Sequence, residues 1–299
     1  MKVVALAGGF GGARFARALA ETDAELTVIG NVGDDEEILG LHISPDLDSI
    51  LYSLAGLGDE ERGWGRADET WNALETVKDL GGESWFQLGD RDLGLHLLRT
   101  QALRTGEPLS SVTARFVRAL GIDPTVLPAT DDELRTHVET PAGDFPFQEW
   151  YVGRRHEDEV TGVRYEGEVH AAPGVVEALE NADLIAIAPS NPYLSIGPIL
   201  AVHDIREAIE SRRVPSVAVS PLIGGHTVKG PAAQMLQRFA GGTSPAHVAG
   251  VYEGLVDRLV IDEADADGGD HLVTRTLMSD EAARRKLAEA VLEAAAVPR

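Results

Sequence analysis

Apolar positions open the chain as a short unbroken run at 3–7. Such a run predicts a parallel strand buried on both faces. Glycines stop it, and a helical spacing of apolar residues follows over 13–21, then a second strand over 26–30. The same rhythm returns later. A strand over 183–188 leads into Pro189-Ser-Asn-Pro192 and a helical stretch at 199–212. A strand over 214–219 leads into Ser220-Pro-Leu-Ile-Gly-Gly225, with Pro231 placed to open the next helix. Residues 258–262 read as the last strand, and Ser279 as the cap of a final helix reaching about Ala296. Between these halves the pattern changes. Helical spacing covers 50–57, 67–80 and 93–105, and 136–168 alternates around a hairpin turn at Ala142-Gly-Asp144. The pattern predicts an α/β protein with a Rossmann-like, doubly wound, mostly parallel sheet. Residues 1–49 and 171–299 form the nucleotide-binding core, and 50–170 form an inserted helical segment with a small β element.

At 299 residues the chain can bury a core without staples, and it has no cysteine. Disulfides, thiolate metal sites and cysteine nucleophiles are therefore excluded. Lys plus Arg is 26 and Asp plus Glu is 49, a net charge of −23. This surface repels nucleic-acid phosphate and anionic membrane, so neither is an expected partner. Only Lys2, Lys78, Lys229 and Lys286 are lysines. Acid-rich, lysine-poor composition suits a salt-filled cytoplasm, and the expectation is a halophile, a halophilic archaeon. The N-terminal run reads as a strand rather than a signal peptide, and no stretch approaches the roughly 18 apolar residues of a membrane helix. A soluble, cytoplasmic protein is expected.

The first loop, Gly8-Gly-Phe-Gly-Gly-Ala-Arg14, suits backbone contact with a phosphate at a helix N-terminus. Reading Gly9 and Gly11 as the first two glycines of a dinucleotide fingerprint puts Arg14 at the third, and no Walker Lys-Ser/Thr follows. A tight turn with close helix packing is the competing explanation. After the second strand comes Asn31-Val-Gly-Asp-Asp-Glu-Glu37. Its four acids read as a solvated loop, with Asn31 the better ligand candidate. In Ser44-Pro-Asp-Leu-Asp-Ser49, extended backbone would point Asp46 and Asp48 to one face, where they could hold magnesium against phosphates. Helix capping is the alternative. Gly89-Asp90 reads as turn and cap, and Trp85-Phe86 as core. Ser190, Asn191 and Ser195 offer hydrogen bonds from a proline-stiffened loop. Ser220 and Gly224 stand in a similar loop one strand later, with Lys229 beyond them. All these loops follow the carboxyl ends of strands, where doubly wound sheets bind ligands. The histidines show no metal spacing, and no Gly-x-Ser-x-Gly elbow occurs.

Five motifs in order carry a resemblance: Gly8-Gly-Phe-Gly-Gly12, Ile43-Ser-Pro-Asp-Leu-Asp-Ser49, Leu88-Gly-Asp-Arg-Asp92, Pro189-Ser-Asn-Pro192 with Ser195-Ile-Gly-Pro198, and Ser220-Pro-Leu-Ile-Gly-Gly225. Together they resemble the 2-phospho-L-lactate transferases, the CofD/FbiA family of coenzyme F-420 biosynthesis. The resemblance implies an enzyme that transfers 2-phospholactate, or phosphoenolpyruvate, from a guanosine diphosphate ester to the deazaflavin Fo, releasing GMP. It implies Mg²⁺, held by Asp46 and Asp48, and a homodimer. It places Asp48, with Asp46 as its partner in catalysis, and Gln87 on the deazaflavin side. Gln87 stands where relatives can carry a basic residue. The insert would cover this acceptor site, with Trp85 and Phe86 as an aromatic wall. Gly9, Gly11, Gly12, Asn31, Ser190, Asn191, Ser195, Ser220 and Gly224 would hold the nucleotide and its phosphates. A sister branch implies a nucleotide-sugar-binding regulator without transferase activity as the alternative. An NAD(P) oxidoreductase is disfavoured by Arg14 in the fingerprint.

Overall fold

The structure, a computed structural model, describes residues 1–295. Its centre is the run of Val, Ala and Leu in β1 (Lys2–Ala7), whose residues from Val3 onward are buried. In parallel beside it lies β2 (Glu25–Gly30), and beyond that β5 (Thr125–Pro128). Two short strands, β3 (Glu36–Ile38) and β4 (Leu41–Ile43), form an antiparallel ribbon between β2 and β5 in the chain. Next come β6 (Arg135–Thr140), β7 (Gly143–Pro146) and β8 (Gly162–Glu166), a separate three-stranded antiparallel sheet. On the other side of β1 lie β9 (Leu184–Ile187) and β10 (Ser216–Val219). A small hairpin, β11 (Leu222–Ile223) with β12 (His226–Thr227), precedes β13 (Arg258–Asp262) and β14 (Leu272–Thr274). The main sheet thus has seven strands in the order β14-β13-β10-β9-β1-β2-β5. Every neighbouring pair in it is parallel. The predicted doubly wound sheet is present, and its chain order reverses between β1 and β9.

Several elements differ from the pattern reading for local physical reasons. Helix α1 spans Gly9–Ala20, so its first turn contains the glycines rather than following them. Helix α2 spans Pro45–Leu54, with proline in its first turn, where a missing N–H costs nothing. Downstream lie α3 (Asn72–Asp79), α4 (Asp90–Arg104) and α5 (Leu109–Ala119). The stretch 50–170 is therefore not a simple insertion: β5 lies within it and closes one edge of the main sheet. The hairpin turn at 142–144 is formed, between β6 and β7. The helical stretch at 199–212 is two helices, Gly197–Ala201 and His203–Glu210, because buried Val202 takes an extended backbone. Pro231 caps helix Ala232–Phe239 instead of opening it, and β14 follows the strand read as last. Asp280, not Ser279, caps the helix Glu281–Ala294, accepting from Ala283 N at 2.9 Å. The predicted end near Ala296 lies outside the described residues. No helix among the described residues is long and apolar enough to cross a membrane.

Candidate active site

The switch between β1 and β9 brings the loops after these two strands together. A doubly wound sheet opens its ligand crevice at such a point. Gly8 leaves β1 so close to its neighbours that a methyl group there would meet Asp46 Oδ2 at 2.6 Å, Ser195 Cβ at 2.9 Å and Asn31 Cβ at 3.0 Å. Gly12 is as tightly placed, with Ser190 Oγ 2.7 Å from the equivalent position. The Ser190 hydroxyl donates to the Gly8 carbonyl at 2.7 Å. Gly9 adopts φ +67°, in the left-handed region that favours glycine. The glycines thus serve close packing of three loops, and they also leave the α1 N-terminus without a side-chain cap. One backbone donor there, the Gly9 N–H, is bonded to Asp46.

Asn31 organises the floor. Its Nδ2 donates to Asp46 Oδ2 at 2.9 Å and to Asp34 Oδ1 at 3.2 Å, while its Oδ1 accepts from Gly33 N at 2.8 Å. Asp34 and Asp35 are buried, so the acidic run after β2 is not a solvated loop. Asp35 Oδ2 accepts from Ser44 Oγ at 2.7 Å and lies 2.8 Å from His42 Nε2, but its Oδ1 is buried without a hydrogen-bond partner. Gln148, contributed from beyond β7, donates to the Asp34 carbonyl at 3.2 Å. Burial pushes the Asp46 carboxyl up to about 6, against the hydrogen bonds from Asn31 and Gly9. Burial and the neighbouring charges of Asp46 and Asp35 push Asp34 well above the ordinary carboxylate range. This floor is short of positive charge.

Asp48 belongs to a different network. Two positions along a helix are turned by about 200°, so Asp46 and Asp48 on the first turn of α2 do not share a face. The expected same-face placement of Asp46 and Asp48 holds only for extended backbone, and the helix overturns it. Asp48 turns to α4, where Arg99 grips both its oxygens, through Nη1 at 3.0 Å and through Nη2. His96 Nδ1 lies 3.6 Å from Asp48 Oδ2, and His96 Nε2 lies 3.4 Å from Asp92 Oδ1. The Tyr52 hydroxyl donates to Asp92. Spacings of four and three residues put Asp92, His96 and Arg99 on one helix face. Burial raises the Asp48 carboxyl even against the opposing charges of Arg99 and His96. Asp48, Asp92 and His96 offer atoms within 4.8 Å of one another, but the guanidinium of Arg99 already neutralises this group.

A divalent cation with oxygen ligands fits the floor rather than the Arg99 network. The orphaned Asp35 oxygen and the raised carboxyls of Asp34 and Asp46 mark where positive charge is missing. Asp34 and Asp46 are the pair that Asn31 draws together.

Sequence comparison gives this geometry its family. The profile described as 2-phospho-L-lactate transferase CofD matches residues 3–294. The chain belongs to the CofD family. A phosphoenolpyruvate transferase of Streptomyces griseus is 45% identical over 276 residues, covering 89% of this chain and 87% of the relative. One from Thermobifida fusca is 42% identical over 285 residues, covering 89% and 88%, and one from Mycolicibacterium smegmatis is 38% identical over 326 residues, covering 99% of each. In fold, this CofD-family chain is similar to a UPF0052-family crystal structure from Bacillus halodurans. The TM-score is 0.64 at 20% identity, covering 97% of this chain and 99% of that one. CofD-family membership and these relatives make the protein a transferase of coenzyme F-420 biosynthesis.

Of the residues that the sequence suggested for the CofD site, the crevice gathers Gly9, Gly11, Gly12, Asn31, Asp46, Ser190 and Ser195. Asn191 spends its side-chain Oδ1 on Tyr193 N and Leu194 N, at 2.9 and 3.2 Å, and so fixes the loop. Ser220 accepts from Leu222 N at 3.2 Å, and Gly224 donates to Asp265 at 2.9 Å. Gln87 is exposed. Trp85 stands edge-on to Phe86, 5.7 Å between centroids, and lies against Gly153. Phe86 instead packs on Ile38, Ile43 and Leu88. Asp90 caps α3 rather than its own helix, accepting from Ala73 N at 3.0 Å and from Asn72 N at 3.1 Å.

Proposed function

We propose that this CofD-family protein transfers the phosphate ester of a three-carbon acid from a guanosine diphosphate ester to the terminal hydroxyl of the deazaflavin Fo. The names of its relatives favour phosphoenolpyruvate over 2-phospholactate as the transferred group. One observation supports the reading most. An open helix N-terminus and a cation-seeking carboxylate floor share one crevice. A diphosphate with its metal is the ligand class that satisfies both.

In this reaction the acceptor oxygen forms a bond to the phosphorus carrying the three-carbon acid. The bond from that phosphorus to the bridging oxygen breaks, and GMP departs with the oxygen. The hydroxyl proton goes to a base on the deazaflavin side, where this reading keeps Asp48 although Arg99 holds both its oxygens. The α1 N-terminus and the Ser190 and Ser195 loop orient the diphosphate. Asp34 and Asp46 would hold Mg²⁺. When bound, the ion neutralises phosphate charge. The same reading takes the working unit as a homodimer, and Gln87 beside Trp85 as the approach for the deazaflavin.

The test is incubation with Fo and guanosine diphosphate esters of enolpyruvate and lactate, following GMP release and the new deazaflavin product. Turnover with Mg²⁺, lost in EDTA, is expected. Tight binding of a nucleotide sugar without any GMP release would replace this reading with the regulatory one.

A further inference from the structure

The carboxylate floor accounts for phosphate and metal but repels a carboxylate. The donor proposed above carries one on its three-carbon end, so that end needs a cation and a neutral donor elsewhere in the crevice. The rim above the glycine turn supplies both. Lys229 reaches it from the loop after β12. Its ammonium donates to the Gly63 carbonyl at 3.1 Å and lies 5.9 Å from the ring centroid of Phe10, inside the glycine turn. No carboxylate pairs with it among the described residues. Arg14, a second cation near Phe10 at 5.5 Å from its centroid, is tied to Glu60 at 3.5 Å. A lysine held only by a carbonyl and a ring is positioned without being neutralised.

Tyr151 faces it. A methyl group on Gly230, the residue after Lys229, would lie 3.4 Å from the Tyr151 hydroxyl oxygen. The tyrosine ring is fixed by stacking on Phe147 at 5.2 Å and on His156 at 4.8 Å. Its hydroxyl makes no hydrogen bond among the described residues. Burial and the charge of Asp46 raise its pKa, which keeps the phenol a neutral donor. Burial lowers the pKa of Lys229, while its residue surface stays open to solvent.

We infer that Lys229 and Tyr151 together form the subsite for the carboxylate of the transferred three-carbon acid. This rests on the transferase reading above. The ammonium supplies the charge and the phenol a directed hydrogen bond, so the pair distinguishes a donor bearing an acid from a plain guanosine diphosphate.

The experiment is titration calorimetry of the Mg²⁺-loaded protein with GMP, GDP and the guanosine diphosphate ester of enolpyruvate. Lys229→Gln is expected to weaken the ester about tenfold or more while GMP and GDP change less than about twofold. Tyr151→Phe is expected to weaken the ester about threefold with the same selectivity, and Lys229→Arg to keep most of the affinity. Thermal melts of each variant check folding, and Tyr151→Phe carries the test if Lys229→Gln does not fold. Equal losses for GDP and the ester would overturn the inference by showing that Lys229 reads the diphosphate. An unchanged ester affinity in both variants would overturn it too. If the wild type binds no guanosine compound at all, the transferase reading fails and this subsite falls with it. If it binds GMP and GDP but gains nothing from the acid, the subsite alone is refuted.

Discussion

Asp46 shows at the scale of one residue what the crevice lacks. Its carboxyl holds a proton up to about pH 6 in the folded state, against 3.8 for the ordinary group. The folded state therefore binds more protons than the unfolded one between these values, and stability falls as pH rises through that window. The loss is on the order of 3 kcal/mol, complete above the folded value. In EDTA the wild type should melt at a lower temperature at pH 7.5 than at pH 5. Asp46→Asn should flatten that difference. Mg²⁺ at pH 7.5 should raise the melting temperature of the wild type and leave Asp46→Asn where it is. A variant that keeps both the pH slope and the Mg²⁺ shift would show that Asp46 is not the charge-starved group. Asp46 itself was legible from its place before a helix. Asp34 and Asp35 were not, because a run of acids in an acidic chain looks solvated, and only the packing of Asn31, Ser44 and Gln148 around them shows otherwise.

Helices decide which residues can meet. Extended geometry for 44–49 would bring Asp46 and Asp48 to one point, whereas the first turn of α2 sends them to α1 and to α4 respectively. The partners on α4 carried a readable signal: Asp92, His96 and Arg99 stand four and three apart, one polar stripe on a helix otherwise rich in leucine. Helical spacing alone could not say that this stripe faces Asp48, because that contact spans 51 residues. At the head of α1, Gly8 gives the sharpest test. Gly8→Ala adds one methyl where Asp46, Ser195 and Asn31 already crowd. The variant should lose roughly 1–3 kcal/mol of stability through overpacking. It should also lose the Mg²⁺-dependent rise in melting temperature, since the carboxylate must move. A melt like that of wild type would mean that the loops yield and that the close approach is incidental.

Across the whole molecule, the alternation of apolar runs and glycine-ended loops was enough to foresee a parallel sheet, because strands buried on both faces leave a continuous signature. It could not foresee β5 at the edge. That strand has four residues, is half-exposed, and pairs with β2 across a hundred residues of chain. Charge is also a property of the whole. At −23, mutual repulsion opposes compaction, and salt relieves it. The melting temperature should rise between dilute buffer and molar KCl. No rise would sink the view that the composition is adapted to salt.

The bond from Ser190 to Gly8 joins residues 182 apart. On the ribosome, β1 and α1 emerge early, but the second wall of their crevice is still untranslated. At ordinary elongation rates the gap lasts roughly 10–35 s. Through that interval the buried strand β1 has one flank uncovered, a demand on chaperones that no finished molecule displays. Guanosine nucleotide affinity should therefore be absent from nascent chains stalled before residue 190 and arise only once β9 and its loop have cleared the exit tunnel.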